Sequence, residues 1–172
     1  MTGATRLITE RLVLGPPGRA DVAAMLAITN HADTARHLGG VRDAAEHFTR
    51  FARNAGSWQL YGYGGFMVRL RSTGETVGQV GVFHSWRGVG ADFDDMPEAG
   101  WILRHDCTGQ GLAREAMVTA LDWFDATHGP CPIMCMIAPD NAPSLALAAR
   151  LGFAPVRDAM LGDAPVRLLL RR

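Results

Sequence analysis

Apolar residues along the chain switch between a period of two and a period near 3.6, and the switches predict its elements. Leu12 and Leu14 share one face of a first strand over 9–14, which Gly15-Pro16-Pro17-Gly18 ends abruptly. Val22, Met25 and Leu26 fall at helical spacing and predict a helix over 20–30. A second helix is expected over 42–55, with Ala45, Phe48 and Ala52 along one stripe. Strands over 66–70 and 76–83 flank Ser72-Thr73-Gly74-Glu75, a tight-turn sequence, so they read as an antiparallel hairpin. A mixed loop over 84–97 leads into a strand over 98–103. The clearest helix covers 111–127, where Leu112, Ala113, Ala116, Met117, Ala120, Leu121 and Phe124 form one apolar face. A fully apolar strand of the buried kind follows over 133–137. Asn141 is a natural N-cap, Pro143 fits a first helical turn and Gly152 suits a stop, which brackets a helix over 145–151. A last strand covers 166–170, with room for a further one near 154–157. Hairpins come first and a strand–helix–strand unit later. The pattern is therefore an α/β (α+β mixed) fold, a mixed sheet with helices on both faces.

Composition narrows the function classes. The length of 172 residues favours one domain, and an apolar fraction of 48% is ample for a core. Seventeen basic residues balance 17 acidic ones, so the basic excess of a dedicated nucleic-acid binder is missing. Every basic residue is arginine, and the chain has no lysine. That removes lysine Schiff-base chemistry, the kinase strand lysine and the lysine-bearing phosphate loop. No run of about 18 apolar residues suggests a membrane span. Charges interrupt the N-terminal stretch where a signal peptide needs an apolar block. Cys107, Cys131 and Cys135 are few and odd in number, which favours a cytoplasmic protein without a disulfide framework. The Cys131/Cys135 spacing lacks a second pair, and the histidines show no ligand spacing, so no metal site is expected.

The chemistry concentrates between Glu98 and Arg114. There a strand runs into a glycine-containing turn that opens the long helix. Gly109 and Gly111 let a ligand approach the backbone, and the first helical turn offers unpaired N–H groups at the positive dipole end. Together these make a cradle for a pyrophosphate. A dinucleotide fold would need a third glycine where Arg114 stands, and an acidic residue about 20 positions further on, where none occurs. The upstream hairpin also disagrees with a doubly wound parallel sheet.

Several pieces in fixed order resemble the GNAT superfamily of acyl-CoA N-acyltransferases, and most of all its Rim-type branch of ribosomal-protein N-terminal acetyltransferases. They are Thr9-Glu10-Arg11-Leu12, the Gly74/Gly78/Gly81 hairpin, Glu98 to Trp101, Thr108 to Ala116, Asn141 to Ser144 and Leu151-Gly152-Phe153. The likeness covers residues 6–171, a single acetyltransferase domain. It implies a mostly antiparallel sheet of six to seven strands, splayed between the fourth and fifth. It implies acetyl-CoA as cosubstrate, with pyrophosphate on the amides of Gly109, Gln110, Gly111, Leu112, Ala113 and Arg114. Pantetheine would pair with Trp101, Ile102 and Leu103, and Asn141 and Ser144 would sit beside it. Two positions depart from the family pattern. Thr108 stands where an arginine or glutamine is usual, and Ala148 where many members carry a tyrosine acid. The latter leaves Ser144 as the donor to the leaving thiolate.

Acyl transfer to an amine needs a proton acceptor, an oxyanion donor and a proton for the thiolate. Glu98, acting through water, is the candidate base, with capping or orienting the strand as its alternative role. A backbone N–H near Ile102 or Leu103 is the oxyanion donor. The loop holding His84, Trp86, Arg87, Asp92, Phe93, Asp94 and Asp95 either receives a cationic amine or is a solvated loop with packed aromatics. The expected activity is acetyl transfer from acetyl-CoA to a primary amine in a ternary complex, without an acyl-enzyme. The amine is a protein N-terminus, an amino acid or another small amine. The rival reading is a catalytically idle acyl-CoA-binding or regulatory domain of the same fold. Neither nucleic acid nor membrane is an expected partner, and monomer and homodimer both stay open.

Overall fold

A computed structural model describes residues 5–172. Its strands are β1 (Leu7–Ile8), β2 (Leu12–Gly15), β3 (Gly65–Leu70), β4 (Thr76–His84), β5 (Pro97–Leu103), β6 (Ile133–Ile137), β7 (Ala154–Leu161) and β8 (Ala164–Arg171). Its helices are α1 (Asp21–Thr29), α2 (Ala32–Ala35), α3 (Ala44–Tyr61), α4 (Leu112–His128) and α5 (Ala142–Arg150). The eight strands make one sheet in the order β1-β2-β3-β4-β5-β6-β8-β7. Every neighbouring pair is antiparallel except β5 and β6. The sheet has one strand more than the six to seven expected, because a two-residue strand precedes the predicted first one. The splay expected between the fourth and fifth strands therefore lies between β5 and β6.

Alternation along β3 divides the core. Phe66 and Val68 belong to the main cluster, with Leu112, Ala116, Met117, Leu121 and Phe124 of α4. Met67 turns to the other face, against Met25 and Ile28 of α1 and Phe51 of α3. Helices thus cover both faces, as a strand with consecutive buried residues requires. Burying each of these large side chains stabilises the fold by about 1.5–3 kcal/mol before entropy is subtracted.

The stripe expected on the second helix is corrected. α3 runs to Tyr61 and buries His47, Phe51 and Ser57, whereas Ala45, Phe48 and Ala52 face solvent, Phe48 at 57% exposure. Alanine is neutral evidence for a face. The phase is set by Phe51 reaching Met67 and by the His47 ring, whose Nε2 lies 3.1 Å from the Val22 carbonyl. One glycine is demanded by a close approach. A Cβ on Gly78 would lie 2.2 Å from the Ile102 carbonyl oxygen, so β4 meets β5 there only because no side chain intervenes.

Candidate active site

The β5/β6 ladder consists of one pair, Glu98 opposite Met134, at the start of both strands. Beyond it the strands diverge. On the other side of β5, Gly78 opposes Leu103 and the Arg104 N–H donates to the Val77 carbonyl at 2.7 Å. This bond fixes the alternation of the antiparallel ladder. Ile102 and Gly100 point their backbone groups at β4, and Trp101 and Leu103 point theirs into the divergence. Ile102, expected to share the backbone contacts of the gap, is therefore turned away from it through its main chain. The free N–H groups in the gap belong to Trp101 and Leu103.

The divergence opens into a cleft of about 1140 Å³ lined by β5, β6, α3 and the start of α5. Trp101, Ile102, Asn141, Ser144 and Glu98 all line it. Asn141 caps α5, its Oδ1 accepting the Ser144 N–H at 3.2 Å. Trp101 Nε1 donates to Ser144 Oγ at 3.2 Å. Among the described residues no protein acceptor takes the Ser144 hydroxyl proton, so the local backbone bond common for a third helical residue is not made. Ala148 is fully buried in the main core, so the position matching the family tyrosine is sealed from the cleft.

Past β5 the chain makes a short turn over His105–Cys107 and reaches α4 through Gly109 and Gly111, at φ 73° and 78°. These left-handed conformations suit glycine. The first α4 bond runs from the Glu115 N–H to the Gly111 carbonyl. The N–H groups of Leu112, Ala113 and Arg114 therefore have no intrahelical partner. Gln110 and Thr108 turn their side chains to the carbonyls of Asp106 and His105 instead of outward. Arg104, one of two nearby basic side chains, is tied to Asp106 at 2.6 Å, which leaves Arg114 exposed beside the turn.

Arg11 is a residue that the chain pattern left without a role. It donates to the Gln110 carbonyl at 2.9 Å and to Glu115 at 2.7 Å, bracing the glycine turn from β2. Burial by itself would raise the Glu115 carboxyl, but hydrogen bonds from Thr9 and Arg11 hold it below the ordinary carboxylate range.

Glu98 is only 4% exposed, and its oxygens are already engaged. Arg87 donates to both, at 2.9 and 2.8 Å, and the Ser85 hydroxyl donates to Oε2. Both oxygens thus already accept protein hydrogen bonds, the arginine pair being bidentate. The acids of the preceding loop are likewise engaged. Asp92 pairs with Arg157, Asp94 accepts from the N–H groups of Arg87, Gly88 and Val89, and Asp95 meets His84 at 2.9 Å. Phe93 is buried against Met134 and Leu168. The acids thus have protein partners and Phe93 is packed, as the solvated-loop reading expects, whereas Trp86 is 64% exposed. Cys135 also lines the cleft, and burial pushes its thiol well above the usual range, away from thiolate chemistry.

The opposite wall carries charge that the sequence pattern did not single out. Arg50 and Arg53 on α3, Arg42 before it and Arg87 all line the cleft. Burial pushes the Arg50 guanidinium down to about 10, and Arg42, Arg87 and Arg53 add to the effect.

Among known proteins, the family model described as an acetyltransferase (GNAT) domain matches residues 11–154. A solved Bordetella pertussis protein named for the GnaT acetyltransferase family is 34% identical over 98% of this chain and 99% of its own, with a TM-score of 0.88. An acetyltransferase from Agrobacterium tumefaciens str. C58 is 28% identical over 100% of this chain and 96% of its own, with a TM-score of 0.85. The ribosomal-protein-S5-alanine acetyltransferase of Vibrio fischeri shares the fold at a TM-score of 0.76 and 18% identity, covering 97% of this chain and 96% of its own. The Rim-type likeness is thus one of fold, and the match over 11–154 settles the wider membership: the chain belongs to the GNAT acetyltransferase family.

Proposed function

We propose that the chain transfers an acetyl group from acetyl-CoA to a primary amine by direct attack within a ternary complex. The observation that carries this is the pairing of an unbonded strand edge with an unsatisfied helix start. The N–H groups of Trp101 and Leu103 face the splay beyond Glu98/Met134, and those of Leu112, Ala113 and Arg114 open the helix that follows. A pantetheine arm running along β5 delivers its diphosphate to α4, where amides and the helix dipole take the charge. A Cβ built at Gly109 meets nothing within 4 Å, so the turn has open space above it for such a group.

The Trp101 or Leu103 N–H supports the oxyanion that develops on the carbonyl. Ser144 supplies the proton for the departing thiolate: the indole of Trp101 occupies one of its lone pairs, and its own hydrogen is unclaimed. Glu98 takes a positioning role in this reading. It fixes Arg87 and the start of β5, and the amine loses its proton to water held in the cleft. The buried Cys135 thiol supports direct transfer over an acyl-enzyme. The test is acceptor-dependent release of free thiol from acetyl-CoA across a panel of primary amines. Release that requires the amine supports the reading. Binding of acetyl-CoA with no thiol release from any amine would instead identify an idle acyl-CoA-binding domain.

A further inference from the structure

The cleft wall formed by α3 is cationic and lacks an internal partner for its charge. Glu46, Arg50, Arg53 and Asn54 recur at helical spacing on the face of α3 that lines the cleft. Arg42 is tied to the carbonyls of Leu38 and Gly40, and Arg87 to Glu98. Among the described residues Arg50 and Arg53 make neither a hydrogen bond nor an ion pair. The carboxylates around the cleft do not change this. Both oxygens of Glu98 belong to Arg87 and Ser85, Asp140 faces His37 at 3.6 Å, and Asp163 sits in the β7–β8 turn. Glu46 is the one whose charge offsets Arg50, against three like charges.

A second observation comes from the sheet. Gln79 of β4 is 9% exposed and lines the same cleft, and its Nε2 has no hydrogen-bond partner among the described residues. A buried amide without a partner calls for a ligand or water to complete it.

We propose that this wall recognises an oxyanion on the acceptor. The substrate class is a small amine bearing a carboxylate or a phosphonate-type group, held by Arg50 and Arg53 with the Gln79 amide beside them. The inference rests on the acetyl-transfer reading and names the acceptor for it. Guanidinium groups bind planar and tetrahedral oxyanions through paired N–H donors, and a partly desolvated cluster gains most from a single anion. The cosubstrate's diphosphate does not meet this need. None of the residues from Gly109 to Arg114 lines this cleft. Arg53 lines the cleft together with Arg87 and Glu98, and Glu98 is the β5 residue at which the splay closes.

The test uses the whole chain with matched acceptors: L-leucine, L-phenylalanine and β-alanine, the primary amide of each, and 2-aminoethylphosphonate. Thiol release gives kcat/KM, and calorimetry in the presence of CoA gives affinity. Acids are expected to exceed their amides by about tenfold or more in both. The phosphonate against β-alanine shows which oxyanion fits better. Arg50→Gln, with Arg53→Gln as a second variant, should erase the preference while changing the KM for acetyl-CoA less than about twofold. Amides bound and acetylated as well as acids would overturn the proposal, as would a preference that survives both variants. If no amine releases thiol yet acids still bind and Arg50→Gln abolishes that binding, the oxyanion site stands and acetyl transfer fails. Absence of both release and acid binding overturns the site as well.

Discussion

The indole N–H of Trp101 on β5 donates to the hydroxyl oxygen of Ser144 on α5, 3.2 Å away across the splay. One bond thus ties the strand edge to the proposed proton donor, and it leaves the hydroxyl hydrogen without a protein acceptor among the described residues.

Ser144→Ala should lower kcat by about tenfold to a hundredfold, the usual contribution of a positioned acid, with the KM for acetyl-CoA nearly unchanged. Trp101→Phe keeps the ring but removes the donor, so it should lose a smaller share of kcat. Steady-state kinetics on both variants provides the check. A Ser144→Ala enzyme within about twofold of the parent would remove this residue from the mechanism.

The Glu98–Arg87 pair separates a base from a positioning group. Glu98→Ala leaves Arg87, 15% exposed in its side chain, without its partner. It should cost about 3–5 kcal/mol of stability in denaturant unfolding. The joint change Arg87→Met with Glu98→Leu should recover most of that loss. In Glu98→Gln the acidic limb of the kcat/KM profile should persist if Glu98 acts as proposed, as a positioning group. Disappearance of that limb would restore Glu98 as the base.

Arg11 braces the glycine turn through the Gln110 carbonyl and Glu115. Arg11→Ala should raise the KM for acetyl-CoA by about tenfold, equivalent to about 1.4 kcal/mol. Its side chain is 45% exposed, so screening keeps its effect on stability small, and Tm should barely move. A large fall in Tm with unchanged KM would show that the contact serves the fold alone.

Tyr63 is buried and its hydroxyl lies 3.0 Å from His84 Nδ1. Burial, aided by Cys131, Tyr61 and Asp95, pushes its phenol up to about 12. A folded value above the unfolded one gives stability that is complete below about 10 and lost as pH rises towards 12. Unfolding curves across that window should fall steeply for the parent and less for Tyr63→Phe. Parallel curves would mean that Tyr63 does not carry the alkaline transition.

Much of the fold could be read along the chain. The strand over 133–137 is observed with those bounds, the helix expected over 111–127 is observed over Leu112–His128, and Asn141 caps α5 as its position implied. Each is governed by contacts within a few residues. The phase of α3 could not be read that way, because Ala45 and Ala52 suit either environment and Phe48 looked like core. The cleft divides along the same line. Gly109 to Arg114 and Asn141 to Ser144 stood out as motifs, since turn and cap chemistry is local. Gln79 and Arg50 did not, because the cleft around them is built from other elements; Arg11 stood in the Thr9–Leu12 piece, but its contact with Glu115, 104 positions away, is made only by packing.

By itself, then, the sequence determined most of the elements, their order, and a glycine turn that leaves the first amides of α4 unbonded. Only the tertiary structure decided what the charged side chains are for. It paired Glu98 with Arg87, and it gathered Arg50, Arg53 and Gln79 onto one wall of the cleft without an ion pair among the described residues. The reason is physical. Backbone conformation is set by neighbours along the chain. The state of a carboxylate or guanidinium depends on desolvation and on partners that only packing brings together.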